Sequence, residues 1–187
     1  SLDHGHWGPK LSASCDGGAT WKDRPSVKFP EGARYIVKCL PTPDFDPDAP
    51  MGEPEYKEAS VLKVWNIAFG SHSQPNRLYA GTIPGGLFVS DDNGETWQLN
   101  RPLWNHESRG GDLFKGDATS ENKWDGTPAS IDYGIFEPGI HSIVVDPRNP
   151  DHIHIAASSV GVIETTDGGQ TWAGRNKGML MDYMPNP

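Results

Sequence analysis

The chain has 187 residues, and its 25 Asp and Glu against 16 Lys and Arg leave a formal net charge of −9. That acidity argues against a nucleic-acid or anionic-membrane surface, and no apolar run reaches transmembrane length. Charged content of 22%, aromatic content of 10%, 22 Gly and 17 Pro suit a folded domain rich in turns.

From the N-terminus, HGHWG at 4–8 reads as a turn and 10–14 as a strand. The octamer SCDGGATW at 14–21 then has the chemistry of a hairpin tip, opening on Ser14. Asp16 can accept hydrogen bonds from backbone N–H groups further along the turn, and Gly18 can supply a positive φ. Thr20 suits the start of an outgoing strand, and Trp21 can fold back over the turn to bury apolar surface. Cys15, inside the octamer, and Cys39 do not make a disulfide framework; two unpaired thiols are the expected state, and they point to no compartment. A long connection follows at 29–61. Its alternating Asp44, Asp46 and Asp48 resemble a calcium loop only superficially, because Ala49 stands where Gly is needed and Pro47 stiffens the run. No metal and no cofactor are expected.

The next strand, around Ile67, Ala68 and Phe69, is short and apolar, as an inner buried strand should be. A Pro/Asn turn at 73–76, strands at 78–82 and 87–90, and a second octamer, SDDNGETW at 90–97, come next. After a second long connection at 104–138 the order repeats. An apolar strand around Ile143, Val144 and Val145 leads to a turn at 148–151, strands at 153–157 and 162–165, and a third octamer, TTDGGQTW at 165–172. Strands joined by short turns pair antiparallel, and no amphipathic helix of useful length intervenes. The fold class is all-β.

The three octamers share Ser/Thr-x-Asp-x-Gly-x-Thr-Trp: Ser14, Asp16, Gly18, Thr20 and Trp21; Ser90, Asp92, Gly94, Thr96 and Trp97; Thr165, Asp167, Gly169, Thr171 and Trp172. Their aspartates lie 76 and 75 residues apart, and segments 66–97 and 142–172 also align with each other. This is a repeat protein. The octamer resembles the Asp-box, or BNR repeat, of sialidases and many other β-propeller proteins. The resemblance implies four-stranded antiparallel blades in which the box joins the third and fourth strands: an incomplete blade at 1–28 and complete ones at 62–103 and 139–178. It implies about two and a half blades of a ring of roughly six or seven, a fragment whose open apolar faces invite self-association.

In such a blade the boxes occupy one rim, and the blade-to-blade connections occupy the other. Loops as long as 29–61 and 104–138 tend to carry function. His6, Trp7, Trp104, His106, Arg109, Trp124, Tyr133 and His141 belong to that second rim or lead into it, and they are residue types that stack on sugar rings or clamp carboxylates. The expectation is therefore a carbohydrate- or protein-binding module using the rim opposite the boxes. One alternative is a sialidase-like glycoside hydrolase whose catalytic residues are shared with blades outside this chain. Another is a protein assembly scaffold. A hydrolase needs a carboxylate pair, for which Asp112, Asp117, Asp125, Asp132 and Glu137 are the candidates, or a tyrosine beside arginines; catalytic residues are not assignable from the sequence.

Overall fold

A computed structural model of the chain describes residues 8–38, 55–106, 139–158 and 160–178. Nearly every regular element in it is a strand. β1 (Leu11–Ala13) pairs antiparallel with β2 (Lys22–Arg24), and β3 (Arg34–Lys38) pairs antiparallel with β4 (Glu55–Glu58). β5 (Lys63–Phe69), β6 (Leu78–Ile83), β7 (Leu87–Ser90) and β8 (Gln98–Leu99) form a four-stranded antiparallel sheet in chain order. A four-residue helix, α1 (Arg101–Trp104), follows. β9 (Ile140–Asp146), β10 (Asn149–Ala157), β11 (Gly161–Thr165) and β12 (Ala173–Gly174) repeat the four-stranded order. The all-β expectation holds. Each octamer joins a third strand to a fourth, or β1 to β2 in the first unit.

The units stack through their sheet faces. From the second unit Tyr79, Leu87 and Ala68 pack with Ile143, Ile153, Ile155 and Ile163 of the third. The opposite face, carrying Val64, Ala80 and Phe88, packs with Leu11, Val27 and Phe29 of the first. Side chains alternate along a strand, so a sheet between two neighbours must be apolar on both faces. The approach of the second and third sheets is close. A Cβ on Gly81 would lie 2.7 Å from both Cγ2 and the carbonyl oxygen of Ile140.

Three expectations are corrected. The inner strands are not buried throughout: Phe69 is 75% exposed, and Ile67 and Val144 are exposed with it. Ile67 and Phe69 share the face of Ala80 and Phe88 by register, but neither joins the cluster that Val64, Ala80 and Phe88 make with Leu11 and Val27. Connection 29–61 contains the β3–β4 hairpin, whose Tyr35 joins a small core with Ala33 and Trp104. The three box tryptophans are also not equivalent. Trp172 is 8% exposed, covered by Asn100 and His106 of the preceding unit, whereas Trp21 is 65% exposed and has no such cover among the described residues. Cys15 is exposed and free, as expected, and Cys39 lies outside the described residues.

Candidate functional site

The octamers account for their own polar groups. In the second, Asp92 Oδ1 accepts from the Thr96 backbone N–H at 2.8 Å and the Ser90 hydroxyl at 2.8 Å, while Oδ2 accepts from the Thr96 hydroxyl at 2.6 Å. Ser90 Oγ in turn accepts from the Gly94 N–H at 2.8 Å. Asp16 and Asp167 repeat these bonds with Thr20 and Thr171. The glycines sit at φ 92°, 86° and 93°, a left-handed region that disfavours any residue with a Cβ. Donation by the threonine hydroxyl is the leading cause of acidification of all three carboxyls; Asp16 is held down to about 2, and Asp92 and Asp167 are lowered too. The first-position hydroxyl and the threonine therefore do more than the sequence suggests: they close the turn around the carboxylate. Both oxygens of each carboxylate are taken up by hydrogen bonds within the turn.

They also share one end of the sheets with the first turns. Asn93 N–H donates to the Asn76 carbonyl at 3.0 Å in the second unit, and Gly168 N–H donates to the Asp151 carbonyl at 2.9 Å in the third. β5 starts at the opposite end, where the chain leaves one long connection, and β9 starts where it leaves the other.

At that opposite end Trp65 is 44% exposed. A bulge between Val64 and Asn66 interrupts the alternation. Val64 turns into the core shared with the first unit, and Trp65 turns toward the third. The His141 ring meets it edge-on, with centroids 5.7 Å apart and planes at 68°, and Lys63 Nζ lies 6.0 Å from the Trp65 centroid. Gly139 brings the chain back against the indole: a Cβ there would stand 2.6 Å from Trp65 Cε3 and 2.5 Å from Ile83 Cγ1. Beneath, the turn after Ile83 is tied by Thr82, whose buried hydroxyl donates to the Pro84 carbonyl at 2.6 Å and accepts from Gly86 N–H at 3.1 Å. The result is a half-exposed indole with an imidazole packed against it and an ammonium group over its ring.

Among the described residues named from the sequence, only His141 belongs to this group, and it is exposed. Trp104 does not line a rim. It is 1% exposed and packed against Phe29 at 4.8 Å, with Tyr35 and Ala33 in the same cluster, so no ligand reaches it. His106 Nε2–H donates to the Trp172 carbonyl at 3.1 Å, which makes it a clasp on the third box. His6, Trp7, Arg109, Trp124 and Tyr133 lie outside the described residues. Trp65 was missed. Its signal was an aromatic in a strand opened by Lys63, hidden because the strand around Ile67 reads as buried throughout.

A second polar group lies on the face of the third unit turned away from the second. His152 and His154 of β10 and Glu164 of β11 share that face. His152 Nε2 is 2.7 Å and His154 Nε2 3.2 Å from Glu164 Oε1, and Arg175 Nε donates to Glu164 Oε2 at 2.5 Å. The hydrogen bond from His152, then Arg175, pulls the Glu164 carboxyl below its ordinary range. Asp146 Oδ2 stands 3.7 Å from His152 Nδ1, and its own carboxyl is lowered chiefly by hydrogen bonding from the Arg148 side chain.

The BNR/Asp-box repeat family matches residues 88–99, which run from β7 through the second box into β8. No curated protein matches the chain. The chain thus carries a BNR repeat, and the same hydrogen-bonded turn recurs at 14–21 and 165–172.

Proposed function

We propose that this chain is part of a sialidase-like Asp-box β-propeller that binds carbohydrate on the rim opposite its boxes, at Trp65 and His141. The half-exposed Trp65 carries this reading. A half-exposed indole backed by Gly139 stacks on the apolar side of a sugar ring once the flexible Lys63 side chain over it swings aside, and Lys63 and His141 then supply hydrogen bonds to hydroxyl or carboxylate groups. These groups support binding rather than hydrolysis, since neither is a carboxylate. The carboxylates that would form a pair about 5–9.5 Å apart are those between Asp112 and Glu137, outside the described residues.

Titration of the chain with neutral and sialic-acid-terminated oligosaccharides, followed by calorimetry, tests the proposal. Trp65→Ala should weaken binding about tenfold, the equivalent of about 1.4 kcal/mol of stacking. A folded Trp65→Ala chain that binds as well as the parent would end the carbohydrate reading at this site. A second reading, docking of a protein or of another copy of the chain, is favoured by the exposed Ile67, Phe69 and Val144. It predicts sugar-independent association that Phe69→Ser abolishes.

A further inference from the structure

We propose that His152, His154 and Glu164 form a binding site for a divalent transition metal, with zinc the best match. On a strand, residues two apart point the same way, so β10 presents both imidazoles on one face. The register sets His154 directly opposite Glu164, which completes a three-donor set from two adjacent strands. All three ligand atoms lie within 4.8 Å of one another. In a tetrahedral zinc site with bonds of about 2.0–2.1 Å, neighbouring donors stand about 3.3 Å apart. The 2.7 and 3.2 Å separations from Glu164 Oε1 therefore need only slight widening to admit the ion. Two imidazole nitrogens and one carboxylate oxygen are a borderline donor set that suits zinc over calcium or magnesium. Three protein ligands leave a coordination position for water or for a donor from a bound molecule.

The surroundings resemble the outer sphere of a metal site. Asp146 Oδ2 lies 3.7 Å from His152 Nδ1, beyond hydrogen-bond reach, and accepts instead from Arg148 Nη2 at 2.9 Å, so it adds negative charge beside the imidazole without fixing the ring. Arg175 holds Glu164 by Oε2, leaving Oε1 aimed at the histidines. Its positive charge opposes a cation, but it meets the carboxylate at the oxygen away from the imidazoles. The three side chains are only partly exposed, which limits competition from water.

The test is zinc titration of the parent chain by calorimetry, repeated with cobalt(II) and followed by visible absorption. The chain has seven histidines, with His4 and His6 also two apart, so the His4→Ala/His6→Ala double variant is the control. The parent and the control should bind one ion at this site with the same affinity. Glu164→Gln, which keeps the volume and one acceptor oxygen but not the negative charge, should weaken it more than tenfold, as should His154→Ala. Absence of binding in the parent, or undiminished binding by folded Glu164→Gln, would overturn the site.

Discussion

Asn100 ties the second unit to the third through its side chain. Its Nδ2 donates to the Gly169 carbonyl at 2.9 Å, inside the third box. Its Oδ1 accepts from Trp172 Nε1 at 3.1 Å and, as the N-cap of α1, from Leu103 N–H at 2.9 Å. Replacing Asn100 by Ala removes all three. The cap is worth about 1 kcal/mol and each remaining neutral bond about 0.5–1.5 kcal/mol, so the total loss is about 2–4 kcal/mol. It is not larger, because Trp172 Nε1 keeps a bond to the Gly169 carbonyl at 3.2 Å and is not orphaned. Urea unfolding followed by circular dichroism and tryptophan fluorescence measures the change. Asn93→Gly is the control: at φ 59° glycine fits the backbone, and only one exposed side-chain bond, to Asn76, is lost. If Asn100→Ala changed stability by less than about 0.5 kcal/mol, the units would not be clasped as described.

The box carboxyls set an acid limit on stability. Because their folded pKa values lie below the ordinary 3.8, with Asp16 at about 2, their contribution is complete above about pH 4 and is lost as pH falls toward about 2. Acid titration of unfolding should show that decline, and the Asp16→Asn/Asp92→Asn/Asp167→Asn triple variant should be less stable at neutral pH with a flatter acid limb; an unchanged limb would refute the assignment. Gly81→Ala drives a methyl group into Ile140 and should cost about 1–3 kcal/mol, whereas Gly174→Ala, with nothing within 4 Å, should be near neutral in the same assay.

Local patterns carried the fold. The octamers could be read as turns because each bond partner lies within four residues of its aspartate, and the strands because their neighbours follow within short turns. Features made by distant contacts were not legible. Trp104 looked like a rim residue because its burial depends on Phe29 and on Tyr35 in a hairpin the sequence did not announce. Trp65 was hidden by a one-residue bulge that puts Val64 and Ile67 on one face and frees the indole for the other. His141 meets that indole only because β9 lies against β5, whereas Lys63 is two residues away on the same strand. The histidine cluster needs the register between β10 and β11, and the 152–154 spacing alone names no third partner.

The central claim is that ligand binds beside Trp65 while the boxes only hold the frame, and the tryptophan indoles can report on it directly. Their N–H resonances are separable by NMR once assigned by substitution, with Trp65 on the rim and Trp21, Trp97 and Trp172 in the boxes. Titration with an oligosaccharide that binds should shift and broaden the Trp65 resonance and leave the box resonances in place. Movement of Trp97 and Trp172 with Trp65 unaffected would contradict the account and put the binding surface at the box end.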